Sequence, residues 1–163
     1  MVRDSDLDDL VAQLLRAASA RDLRIATAES CSGGMMASLL TDVEGLGHVF
    51  ERGFVTYSDE AKIEMLGIAP ALIEENGAVS AAVARAMVTG ALAASGADLA
   101  LAITGFAGPA GAEDEEGLVY LAALRGARME TLELHLGAAG RDAVRRRSAC
   151  EGIRLMLRLI GEE

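Results

Sequence analysis

The chain has 163 residues, of which 52% are hydrophobic and 3% aromatic, with no tryptophan and a net charge of −10. That length suits one domain with its own core over residues 1–163. The negative charge argues against a nucleic-acid partner, which needs clustered cations, and no apolar run reaches the roughly eighteen residues that span a bilayer.

The acidic opening Met1–Asp9 lacks a signal-peptide pattern. Two cysteines, Cys31 and Cys150, are too few for a disulfide scaffold, so the expected setting is the reducing cytoplasm. In Asp4–Ser19, the residues Leu7, Leu10, Val11, Leu14, Leu15 and Ala18 fall on one helical stripe. A short apolar strand is expected at Arg24–Thr27. It runs into Glu29-Ser30-Cys31-Ser32-Gly33-Gly34, and a helix follows to Leu40. A small polar residue beside glycines at a strand-to-helix junction is either a helix cap or a nucleophile set over N–H donors.

Val49–Tyr57 is β-branched and aromatic and reads as a strand, with Gly53 marking a bulge or a close backbone approach. Ser58 then caps a short helix, Asp59–Leu66, which carries Lys62. Against fourteen arginines, Lys62 is the only lysine. Arg never serves as a base, whereas a desolvated Lys can. Lys62 is therefore either a chance surface cation or a functional amine. Tyr57 is either an edge aromatic with a wet hydroxyl or a neighbour of that amine.

Pro70–Glu75 reads as a helical turn, and Ser80 caps a helix to about Ala94 whose small residues imply close packing. Leu99–Thr104 is a continuous apolar run, hence a buried central strand. It exits into Thr104-Gly105-Phe106-Ala107-Gly108-Pro109, where Gly105 and Gly108 can align N–H groups for an anion. An acidic exposed turn follows at Ala112–Gly117. Leu118–Leu124 and Met129–Leu136 form a hairpin around Arg125–Arg128. The last helix starts near Gly140 and runs to Leu159. Its buried stripe extends backwards to Arg145 and Arg141. An inward Arg needs an anion, supplied either by a carboxylate of the chain or by a ligand. The element order predicts an α/β fold: a three-layer α/β/α sandwich around a mixed, mostly parallel sheet of about five strands.

Taken together, Thr27–Gly34, Arg52–Lys62, Gly77–Ser80, Thr104–Pro109 and Arg141–Arg145 resemble the C-terminal domain of the CinA family, nicotinamide-mononucleotide amidohydrolases. The resemblance spans nearly the whole chain and looks like the stand-alone form. It implies deamidation of nicotinamide mononucleotide to nicotinic acid mononucleotide and ammonia. Ser30 would be the nucleophile, Lys62 the base and Tyr57 the neighbour that relays the proton or orients the amine. Oxyanion and substrate contacts would come from Ser32, Gly33, Gly34, Thr104, Gly105, Gly108, Arg141 and Arg145. No cofactor and no metal is expected, because His48 and His135 have no zinc-like spacing. The expected partner is a small nucleotide substrate, with no nucleic acid and no membrane, in a homo-oligomer.

Two departures stand out: Ser32 replaces the usual Thr, and Glu113-Asp114-Glu115-Glu116 stands where the family carries Lys-Pro-Val-Gly. The acidic stretch favours a second reading, a nucleotide-binding relative without catalysis or with another specificity. Within enzymology the rival nucleophile is Cys31, which would need a cationic or histidine partner.

Overall fold

The computed structural model describes residues 4–161. The first three residues of the acidic opening, the Asp4 and Ser5 side chains and residues 162–163 lie outside the description. The elements in order are α1 (Asp4–Ser19), β1 (Ile25–Glu29), α2 (Met35–Thr41), a single 3-10 turn (Gly47–Val49) and β2 (Phe50–Val55). There follow α3 (Asp59–Leu66), α4 (Pro70–Asn76), α5 (Ala81–Ala93), β3 (Leu99–Gly105), β4 (Leu118–Arg125), β5 (Arg128–His135) and α6 (Arg141–Gly161).

The sheet order is β2-β1-β3-β4-β5. Strand β1 pairs parallel with both β2 and β3. Strand β4 runs antiparallel to β3 and to β5 and is thus the one reversed strand of the sheet. The two-residue link Gly126-Ala127 makes the hairpin, with Gly126 at φ +58° supplying the positive φ that such turns require.

Side-chain size along β3 separates the two helical layers. Leu99, Leu101 and Ile103 pack with residues of α1 and α6. The alternate residues Ala100 and Ala102 pack with Val83, Met87 and Val88 of α5. Alanines on that face let α5 sit close to the sheet, as its own small residues had implied. Gly90 of α5 lies against the Leu66 carbonyl of α3, where a Cβ would collide with backbone. Gly90→Ala gains helix propensity of up to about 1 kcal/mol, but the clash cannot be relieved by a rotamer. We expect a net loss of about 1–3 kcal/mol, read as a lower denaturation midpoint in urea.

Strands β1 and β2 differ most from the sequence expectation. Strand β1 extends to Glu29, because it is the middle of three parallel strands and is paired on both sides to that residue. Strand β2 stops at Val55 rather than Tyr57, and Val49 belongs to the preceding turn. The pairing of β1 with β2 skips Glu51, so the bulge lies there, while Gly53 provides the close approach. A Cβ at Gly53 would stand 2.9 Å from Thr27 Oγ1 and 3.2 Å from Ala37 Cβ.

Candidate active site

The C-terminal ends of β1, β2 and β3 lie side by side, which is where open α/β sheets hold their ligands. Two backbone bonds extend the pairing past the strands: Ser30 N–H donates to the Ile103 carbonyl (2.9 Å), and Thr56 N–H to the Glu29 carbonyl (2.8 Å). They fix Ser30 at the lip of the sheet.

The turn from Ser30 to Gly34 reverses the chain into α2 through two left-handed glycines, Gly33 (φ +61°) and Gly34 (φ +96°). Gly34 is the N-cap of α2 and has no side chain with which to cap it. Glu29 does so from the strand. Its carboxylate, fully buried, accepts N–H bonds from Gly34 (3.1 Å), Met36 (3.0 Å) and Ala37 (2.9 Å). Sequence reasoning gave Glu29 no role. The available signal was a helix start without a capping side chain, preceded by the only carboxylate in the segment.

Lys62 is 1% exposed. Ser58 caps α3 by accepting from Ala61 N–H (3.1 Å), which points the first turn of the helix at the end of β2. From there the Lys62 ammonium or amine reaches Ser30 Oγ (3.2 Å), the Thr56 carbonyl (3.0 Å) and, at the limit of a bond, the Ser58 carbonyl (3.5 Å). Burial pushes its pKa below the ordinary 10.5, against the pull of Asp59, whose carboxylate is 3.9 Å away. The geometry thus places a desolvated amine on a serine hydroxyl.

Tyr57 makes no hydrogen bond to this pair. It is 63% exposed, and its hydroxyl has no hydrogen bond among the described residues. The two carbonyls orient the amine instead. Tyr57 lines a cavity of about 210 Å³ with Ser30, Cys31, Gly105, Gly108 and Arg141. Arg141 is exposed rather than inward, and its guanidinium lies over Gly108, where a Cβ would come within 2.7 Å. Thr104 is buried and turned away, because its hydroxyl donates to the Ala78 carbonyl (2.9 Å).

The remaining expected contacts separate from this cavity. Ser32, Gly33, Gly34 and Arg145 line a different one, of about 410 Å³, against α1 and α2. Arg145 donates from Nε to the Cys31 carbonyl (2.8 Å), so it does not join Arg141. The N–H groups expected to hold an oxyanion are also partly spent. Gly33 N–H donates to the Ser30 carbonyl (3.1 Å), and Gly34 N–H serves Glu29. Among the described residues, the N–H groups of this turn that no other residue accepts are those of Cys31 and Ser32.

The acidic stretch faces solvent, with Glu113, Asp114 and Glu115 exposed. His135 holds Glu115 at 2.7 Å, and Glu133 lies 3.1 Å from its other ring nitrogen. Together these carboxylates raise the His135 pKa above 6.5. Glu115 is thus drawn towards the hairpin. Among the described residues no group of three His, Cys, Asp or Glu is placed to hold a metal ion, and no helix is long and apolar enough to cross a membrane.

Cys31 is 6% exposed, and burial pushes its thiol up to about 11 despite the nearby Arg145 charge. A thiol so protonated is a poor nucleophile at neutral pH. Cys31→Ala is expected to keep turnover within about three-fold of the parent, since only a small buried side chain is lost. A drop as large as that of Ser30→Ala would return the nucleophile to sulfur.

The family model described as the CinA C-terminal domain matches residues 7–160. A CinA-like protein of Mycobacterium marinum is 47% identical over 161 residues, which cover 97% of this chain and 36% of that protein. The chain thus spans little more than a third of the length of such relatives. The nicotinamide-nucleotide amidohydrolase PncC of Escherichia coli K12 is 42% identical over 157 residues, 94% of each chain. Among solved structures, the competence/damage inducible protein CihA of Agrobacterium tumefaciens superposes with a TM-score of 0.93 at 36% identity, over 99% of both chains. A CinA superfamily protein of Escherichia coli gives 0.90 at 34% identity, over 98% of this chain and 94% of that one. With sequence and backbone in agreement from α1 to α6, the chain belongs to the CinA C-terminal domain family.

Proposed function

We propose that this protein is a Ser/Lys amidohydrolase that deamidates nicotinamide mononucleotide. The observation that carries the reading is the 3.2 Å contact between the buried Lys62 Nζ and Ser30 Oγ. Its similarity to the E. coli protein named as a nicotinamide-nucleotide amidohydrolase, over 94% of each chain, supports the substrate.

The neutral Lys62 amine takes the Ser30 proton, and Oγ bonds to the amide carbon. The oxyanion settles on the Cys31 and Ser32 N–H groups, the unspent donors of the turn. The Lys62 ammonium then returns its proton to the leaving nitrogen as the C–N bond breaks, and ammonia departs. Water, deprotonated by the same amine, opens the acyl-serine ester. The carboxylic acid leaves and Ser30 regains its proton. Arg141, over Gly108, is the cation of this cavity and the partner for a nucleotide phosphate. Tyr57 forms a wall of the cavity mouth.

Ammonia release is to be measured from nicotinamide mononucleotide, nicotinamide riboside, nicotinamide and simple amides, with Ser30→Ala as the control. The expected result is release from the mononucleotide that Ser30→Ala abolishes. Calorimetric binding of the mononucleotide without any ammonia would favour the non-catalytic alternative instead.

A further inference from the structure

We propose that Asp59 is a positioning residue of the Ser30–Lys62 pair: its carboxylate is the counter-charge to the ammonium that forms when Lys62 takes the Ser30 proton. The kinetic part of this inference rests on the amidohydrolase reading, whereas the pairing of Asp59 with Lys62 does not.

The acceptors around Lys62 Nζ suit a neutral amine, which has two N–H groups and one lone pair. The Thr56 and Ser58 carbonyls take the two N–H groups (3.0 and 3.5 Å), which leaves the lone pair for the Ser30 hydroxyl (3.2 Å). Nothing in that set carries a charge. Once Oγ has bonded to the amide carbon and its proton sits on Nζ, a full positive charge stands on a side chain that is 1% exposed. A charge so buried requires an opposite one close by.

Asp59 supplies it. Its Oδ1 lies 3.9 Å from Nζ, and its place three residues before Lys62 puts both on one face of α3. Ser58, not Asp59, caps that helix. Among the described residues the Asp59 carboxylate has no other partner, and no other carboxylate lies within ion-pair reach of Nζ. The remaining neighbours do not take its place. Cys31, across the turn, is a thiol pushed up to about 11 by burial and is therefore neutral. Glu29 is taken up by the N–H groups of α2. Helix α5, packed on α3, has Arg85 as its one charged residue, and that lines a groove beside Leu66 at the far end of α3. Burial lowers the pKa of Lys62 while Asp59 raises it, so the amine is held between base and acid. A counter-charge thus makes Lys62 a stronger base but a scarcer one. Without it more of the amine is neutral at a given pH, yet each neutral amine takes a proton less readily.

Lys62 is the only lysine, so protein grown on lysine carrying ¹³C at Cε gives a single side-chain resonance whose pH titration reads this amine directly. Asp59→Asn keeps the size of the side chain and removes the charge. Its resonance is expected to titrate at lower pH than the parent's. The kcat profiles for ammonia release from nicotinamide mononucleotide should then cross, with the variant about two- to three-fold faster on the rising limb and about two- to three-fold slower on the plateau. Glu60→Gln removes the neighbouring carboxylate of the same first turn and should move neither. An unmoved resonance, profiles that do not cross, or an equal effect from Glu60→Gln overturns the assignment. A parent that releases no ammonia sinks the amidohydrolase reading alone, and the resonance by itself then decides whether Asp59 holds the proton on Lys62.

Discussion

Lys62→Arg and Lys62→Met are expected to lose turnover alike, each by about a thousand-fold or more, with the fold intact. The reasoning starts from burial. An amine that is 1% exposed and held by two carbonyls and a serine hydroxyl has been taken out of water, so its charged form is disfavoured. Arginine would keep the charge but accepts no proton at a usable pH. A purely electrostatic Lys62 would therefore tolerate Arg and reject Met. A base rejects both, and near-parental turnover in Lys62→Arg would sink the mechanism.

The same burial fixes the pH behaviour. The parent's rate should climb along an alkaline-going limb with an apparent pKa below 10.5, as the ammonium sheds its proton. Stability has a matching sign. Between the lowered folded value and 10.5 the unfolded chain holds a proton that the folded chain has released, so stability rises with pH across that window. The difference in stability between parent and Lys62→Met should follow that slope.

Replacing Glu29 is the substitution expected to cost the most stability. Glu29→Gln keeps the size of the side chain but removes its charge and turns one acceptor oxygen into a donor. Three N–H groups now converge on that carboxylate, so at least one becomes orphaned in a buried place. A lost charge-assisted bond with its desolvated partner amounts to about 2–4 kcal/mol, a large share of a domain's total. Glu29→Ala leaves all three unpaired and should cost more. Thermal unfolding of both variants measures this, and a shift below about 2 °C in either would mean that water replaces the carboxylate. A folded Glu29→Gln protein should also turn over slowly, because the residue before Ser30 anchors the turn.

Much of this was legible from the sequence because it was periodic or chemically singular. The helical stripe from Leu7 to Ala18, the unbroken run at Leu99–Thr104 and the glycine-first hairpin loop each carry a local rule. Lys62 stood out as the one lysine among fourteen arginines, and the Ser30 turn stood out by its glycines. What escaped were relations between elements. The periodicity of α6 carried both Arg141 and Arg145 inward, but Arg141 sits at the first residue of the helix, beyond the packed stretch, and lies over Gly108 in the open. Thr104 was expected among the substrate contacts, yet the partner that claims its hydroxyl, Ala78, is 26 residues away. Tyr57 neighbours Lys62 in sequence, but the carbonyls of Thr56 and Ser58 fill the space around the amine. Spacing on one element says which residues share a face, not which face a second element occupies.

The two walls of the Ser30 cavity are tethered very differently, and this gives the site two clocks. The wall that bears Ser30 is tied to four other elements: to β3 through Ile103, to β2 through Thr56, to α2 through the Glu29 carboxylate and to α6 through Arg145. To open it, the chain must break bonds at the centre of the sheet, so its excursions belong with global unfolding. The opposite wall, the glycine-rich stretch after β3, is pinned only at its ends, by Phe106 N–H on the Leu118 carbonyl at the start of β4 and by Gly117 N–H on the Phe106 carbonyl. The surface pair of Glu115 and His135 adds an exposed latch. That wall can breathe while the rest of the fold stays shut. Traffic into and out of the cavity therefore falls to the glycine-rich side, on a timescale that leaves the serine and its amine in register throughout.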